Sequence, residues 1–141
     1  MEKKFELTGN LVINAFGIKL FQIKCTKSFK YANKGDLGGY VEKEDNLSQS
    51  GDAWVYGDAQ VYGNARVSGN ARVYGDARVY GNAWVSGNAQ VSGNAWVSGD
   101  ARVYGDALVY GDAWVYGNAW VSGNAQVSGD ARVSGNAQVS G

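Results

Sequence analysis

The stretch GDARVYGNAWVSGNAQVSG, residues 75–93, repeats every six residues: Gly, Asp or Asn, Ala, a variable residue, Val, then Tyr or Ser. Read outward in both directions, the same unit fills residues 51–140 as fifteen copies without an insertion, and Gly141 begins a sixteenth. In an extended chain, residues two apart share a face. Ala77 and Val79 therefore point one way and Arg78 the other, and the same holds in every unit. Glycine tolerates any backbone region, and Asn and Asp are the other residues that best tolerate a left-handed conformation. Each unit thus reads as a short strand followed by a corner. A helix conflicts with the period of six, and each of the fifteen glycines would cost about 1 kcal/mol inside one. Disorder would suit the Gly, Ser and Asn content, but Val at every sixth place with Ala two before it is the pattern of a buried column.

One unit cannot bury its own Val. Three units can close a triangle, so that a coil takes eighteen residues and fifteen units give five coils. At about 4.8 Å between stacked strands the column is roughly 24 Å long. Each buried Val contributes about 1.5–3 kcal/mol. The variable positions then fall in three outward lines. One carries Trp54, Arg72, Gln90, Leu108 and Gln126; the next Gln60, Arg78, Trp96, Trp114 and Arg132; the third Arg66, Trp84, Arg102, Trp120 and Gln138. All five Trp of the chain occupy this outward place, and seven Tyr stand beside the corners.

The frame Val-(Tyr/Ser)-Gly-(Asp/Asn)-Ala-x resembles the hexapeptide repeat of left-handed parallel β-helices, known from acyltransferases and γ-class carbonic anhydrases. That repeat sets an aliphatic residue first and a small residue four later, as Val79 and Ala83 do here. The left hand is implied by the resemblance, since crossover rules alone favour the right hand.

Residues 1–50 read differently. KFELT, NLVIN and IKLFQIKC form strand-like runs separated by Gly9-Asn10 and Phe16-Gly17. They predict two or three antiparallel strands, a hairpin cap over the first coil. Val41 and Leu47 lie twelve and six residues before Ala53, which predicts a degenerate capping coil with both in the Ala column. The expected division is therefore an N-terminal capping segment, 1–50, and a β-solenoid, 51–141. The layout from KFELT through KGDLGGYVEKEDNLSQSGDAWVYGDA also resembles a family of small β-helix proteins of bacteria and bacteriophages, often labelled acetyltransferases on the repeat alone.

Composition narrows the chemistry. The chain has no net charge: residues 1–50 carry eight Lys against six acids, and residues 51–141 five Arg against seven Asp. Neither part is the basic surface that duplex binding requires, so nucleic acid is not the expected partner. Cys25 stands alone, no signal peptide or membrane-length apolar run is present, and the expected compartment is cytoplasmic. There is no His anywhere. The acyltransferase and carbonic anhydrase chemistries of the resemblance both lean on His, and no unit is interrupted by a loop that could shape an acyl-donor groove. GDLGG at 35–39 lacks a following Gly-Lys-Ser/Thr and reads as a capping turn rather than a phosphate loop. No catalytic residue, metal site or cofactor is expected.

What remains is surface. Arg over Trp on adjacent coils gives cation–π pairs that stabilise the stack. Large exposed aromatic patches also mark contact surfaces, in which Trp, Tyr and Arg dominate the energy. The candidate contact residues are Arg66, Trp84, Arg102 and Trp120 on one wall and Trp96, Trp114 and Tyr116 on another. With the repeat unbroken to its last residue, end-to-end or lateral self-association is the expected assembly. The function expected is a non-catalytic scaffold that binds protein or assembles with itself. The phage resemblance implies an alternative, an inhibitor of a host defence protein. Less favoured are acyl transfer and the stacking of a glycan or single-stranded nucleic acid on Trp96 and Trp114.

Overall fold

The computed structural model describes residues 3–140. Residues 1, 2 and 141 lie outside them, and with them the start of the sixteenth unit. The described chain is all-β: a parallel β-solenoid of about six turns with an antiparallel N-terminal part and a single 3-10 turn, Glu44–Asn46. Fifteen two-residue strands, Trp54–Val55 to Gln138–Val139, stack eighteen residues apart in three walls. The first wall begins at Trp54, the second at Gln60 and the third at Arg66, and each holds the five outward residues expected for it. The Ala and Val of every unit point inward. From Ala53 to Val127 all are buried, and they form one continuous core.

Backbone hydrogen bonds repeat with the period. Within the second wall Arg78 N–H donates to the Ala95 carbonyl at 3.0 Å and Tyr80 N–H to Val97 at 2.9 Å. At the corner Asn82 N–H donates to Gly99 at 2.8 Å, so the ladder continues around the bend. Glycine makes the bend possible. The fifteen repeat glycines have φ between 62° and 71°, and no other residue type has positive φ among the described residues. A Cβ on Gly99 would also stand 2.9 Å from the Gly117 nitrogen of the next coil.

The Asp/Asn position therefore serves a purpose other than left-handed backbone. These side chains bond to one another between coils: Asn82 Nδ2 donates to Asp100 Oδ1 at 3.1 Å, Asn88 to Asp106 at 3.1 Å, and Asn118 to Asn136 at 3.2 Å. Gly turns the corner, and its neighbour pins that corner to the next.

The N-terminal part corrects three expectations. First, KFELT and NLVIN form one strand, β1 (Phe5–Ile13), with a register irregularity between Leu7 and Leu11 rather than a turn at Gly9. The turn comes at Asn14, whose Oδ1 accepts from Phe16 and Ile18 N–H at 2.9 and 3.1 Å. Strand β2 (Lys19–Cys25) pairs antiparallel with β1 and with β3 (Leu37–Val41), and β3 joins the second wall in parallel. The cap thus extends that wall into an eight-stranded sheet as well as closing the core with Phe5, Ile23 and Cys25.

Second, Val41 and Leu47 stand in the Val column, opposite Val61 and Val67. The offset there is twenty residues instead of eighteen, because the corner between Leu47 and Ala53 is two residues longer. Gln49 in that corner uses the extra length. Its Oε1 accepts from Lys4 and Phe5 N–H at 2.7 and 3.2 Å, and its Nε2 donates to the Phe5 carbonyl at 3.1 Å. Third, GDLGG turns only at Gly35, with φ 98°. Gly38 and Gly39 lie in β3, where a Cβ would come within 2.6 Å of the Val55 carbonyl and 2.7 Å of a Val55 methyl. Glycine there lets the cap strand touch the first coil.

Candidate functional site

The three walls differ in what leaves them open. On the first wall the N-terminal part covers the upper coils. Trp54 faces outward yet is only 2% exposed, because Phe29 packs edge-on against it at 5.2 Å. Tyr31 lies over the Arg72 guanidinium at 4.4 Å. The outward place in the repeat did not make Trp54 a surface residue, since the chain folds back over it.

On the second wall Trp96 and Trp114 stack at 5.0 Å with planes 2° apart. Arg78 sits over Trp96 at 5.4 Å and Arg132 over Trp114 at 4.8 Å. Both faces of each indole are therefore used within the ladder and only their edges meet solvent. A sugar or base stacking on these two rings would have to displace Arg78 or Arg132. Beside them runs the tyrosine column. Tyr62 and Tyr80 stack at 5.0 Å, and Tyr80 meets Trp96 edge-on at 6.2 Å. Burial raises the Tyr62 hydroxyl above its ordinary pKa, with the neighbouring Tyr80 adding to the shift and Arg78 opposing it. Ser98 follows, then Tyr116, which meets Trp114 edge-on at 6.5 Å. Tyr80, Trp96, Ser98, Trp114 and Tyr116 enclose a cavity of about 240 Å³.

The third wall carries the most open ladder. Arg102 lies between Trp84 and Trp120, 4.7 and 5.6 Å from the two rings. Trp84 is 44% exposed, Trp120 39% and, across on the second wall, Trp114 36%. Tyr104 meets Trp120 edge-on at 6.2 Å, and beside it Trp84, Ser86, Arg102 and Trp120 border a cavity of about 250 Å³. Arg66 stands in line with Trp84. It borders a larger hollow of about 370 Å³ with Glu44, Asp45, Ser48 and Ser68, where the cap meets the wall.

The seven candidate contact residues thus fall into two groups on adjacent walls: Arg66, Trp84, Arg102 and Trp120, and Trp96, Trp114 and Tyr116. A further apolar surface was not foreseen. Leu11, Val12, Ile13 and Phe16 at the tip of the β1–β2 hairpin are all exposed, Ile13 and Phe16 by 62% and 61%. The signal was present in NLVIN, because a two-stranded tip can bury at most one face of three consecutive apolar residues. The cap also holds a cation away from water. Lys4 Nζ donates to the Ala53 carbonyl at 2.6 Å and lies 4.8 Å from the Phe29 ring. Burial lowers its pKa to about 8, against the opposing pull of Asp52 and Cys25. Cys25 is a free, buried thiol whose pKa burial pushes up. Among the described residues no group of three or more His, Cys, Asp or Glu is placed to hold a metal ion, and no helix is long and apolar enough to cross a membrane.

No curated protein matches the chain. A family model described as the YdcK beta solenoid repeat matches residues 59–75, 71–87, 89–103, 101–117 and 125–141. These segments together cover just over half of the chain, and each is nearly one coil long. Matched over more than half of its length, the chain belongs to the YdcK beta-solenoid repeat family.

Proposed function

We propose that this chain is a non-catalytic scaffold of the cytoplasm that works by protein contact through its second and third walls. The observation that supports this most directly is the exposure of Trp84, Trp114 and Trp120 on two adjacent walls, while the equivalent Trp54 is covered by the chain itself. Large aromatic residues left bare beside arginines are what protein interfaces use as anchors. The kinship to hexapeptide β-helices, with their left-handed winding, belongs to the same reading and rests on the Val and Ala four apart in every unit. The chemistry of the acyltransferases among them does not carry over, because the chain has no His and no interrupted unit.

The test is Trp120→Ser, read by circular dichroism and by light scattering after size exclusion over a concentration series. Contact through the wall predicts an unchanged β-spectrum with altered self-association or altered binding of a partner. Loss of the fold would make the ladder purely structural and overturn the reading.

A further inference from the structure

Over three consecutive coils the outer columns of the two open walls are complements of one another. On the second wall the order along the stack is Tyr80, Ser98, Tyr116; on the third it is Ser86, Tyr104, Ser122. Both columns advance by one coil per residue, so set against each other they place a tyrosine opposite a serine at all three levels. The match holds whether the two columns run in the same or in opposite directions, since each set of three reads alike from either end. Two of the serines border hollows: about 240 Å³ at Ser98 between Tyr80 and Tyr116, and about 250 Å³ at Ser86 beside Tyr104. Either is below the roughly 300–1,000 Å³ of a site for a drug-sized ligand, and suits a single ring.

The walls of the Ser98 hollow also suit an incoming tyrosine. Tyr80 meets Trp96 of the next coil at 6.2 Å and 75°, and Tyr104 meets Trp120 of the next coil at 6.2 Å and 76°. Trp114 stands one coil on from Ser98 in the same relation, with serine where the other two have tyrosine. A ring entering from outside would meet Trp114 in the arrangement the molecule already uses twice. It would also lie between Tyr80 and Tyr116, continuing a column in which Tyr62 and Tyr80 already stack at 5.0 Å. Edge-on and offset contacts of this kind are the favoured aromatic geometries.

We infer that the partner of these walls is a second copy of this chain, with Tyr104 of one copy seated over Ser98 of the other and Tyr80 and Tyr116 over Ser86 and Ser122. This rests on the reading of the walls as contact surfaces and names their partner. The contact joins two different patches, so the pair keeps one of each free, on opposite copies, and assembly continues past the dimer.

The experiment compares the full chain with Ser98→Tyr, Tyr104→Ser and the double variant, by light scattering over a concentration series. Circular dichroism confirms the fold of each, and Ser92→Tyr on the first wall serves as a control, since the column Tyr74, Ser92, Tyr110 has the same order but Leu108 stands where the second wall has Trp114. The inference expects a wild-type mass that rises past the dimer. Filling the hollow or removing the ring should weaken association roughly tenfold or more. The double variant, which exchanges ring and hollow between the walls, should restore it, and the control should leave it unchanged. A monomer at every concentration overturns the inference and leaves the wall-contact reading to be decided by Trp120→Ser with a foreign partner. An oligomer insensitive to Ser98→Tyr, or one that the double variant fails to restore, overturns it as well.

Discussion

In residues 51–140 almost every backbone bond between coils is a copy of its neighbour, and the inward-facing positions are Ala and Val alone. In residues 3–50 the connections are individual. Gln49 ties down the first strand, and Lys4 caps the Ala53 carbonyl. Asn46, fully buried, accepts from Glu42 and Lys43 N–H and donates to the Gly63 and Ala65 carbonyls. The repeat spreads its stability over many equal contacts, each between nearest neighbours. The cap concentrates it in a few polar side chains that must find partners far away in sequence. A solenoid end requires this, because its exposed strand edge and apolar core have no further coil to meet.

The comparison can be broken hardest in the repeat. Val97→Asp buries a charge with no partner and should cost more than about 3 kcal/mol. Urea unfolding should show a lower midpoint, and hydrogen exchange should localise the loss to the adjoining coils. In the cap, Asn46→Ala leaves the Gly63 and Ala65 carbonyls and the Lys43 N–H short of a partner, while Glu42 N–H keeps the Val61 carbonyl, and about 2–3 kcal/mol should be lost. Here exchange should rise in the cap and first coil while the distal coils keep their protection. Equal loss along the whole stack would mean that cap and repeat unfold as one unit.

Gly99→Ala tests the corner. It places a side chain at φ 65° and a Cβ 2.9 Å from the next coil, at a cost of about 1–2 kcal/mol from the backbone conformation alone. Asn at the same site should also destabilise, since the close approach penalises any Cβ. Trp120→Ser removes one exposed cation–π partner and the edge-on contact with Tyr104 and should cost about 1–2 kcal/mol, too little to unfold the stack, so its effect on association can be read on folded protein.

The smallest effect concerns Lys4. Its folded pKa is about 8 against an ordinary 10.5, so from about pH 8 upward the unfolded chain binds more protons than the folded one. Stability should therefore rise with pH between 8 and 9, as the buried ammonium loses its charge. Above pH 9 the raised Cys25 pKa works in the opposite direction. Lys4→Met should flatten the rise between 8 and 9 in thermal melts.

Much of the site was legible because the repeat forces it. With a fixed eighteen-residue coil, the neighbours of Trp96 and Arg102 follow by counting, and the Arg–Trp ladders stand where counting puts them. Counting failed at the cap. The two extra residues around Gln49 shift Val41 and Leu47 into the Val column, and nothing local in SQSGD announces that insertion. It also misassigned Asp and Asn, whose tolerance of left-handed backbone is real but unused beside a glycine that takes the positive φ itself.

The sequence by itself determined the strand, the corner, the three outward lines and the composition of each wall, because a strict period leaves one way to bury Val and Ala together. The tertiary structure alone decided which walls stay bare. Trp54 and Trp84 occupy the same place in their respective units, and one is covered while the other is open. The difference lies in where a non-repeating segment folds back. Contacts between residues so far apart in sequence, Phe29 on Trp54 and Tyr31 over Arg72, leave no period to read.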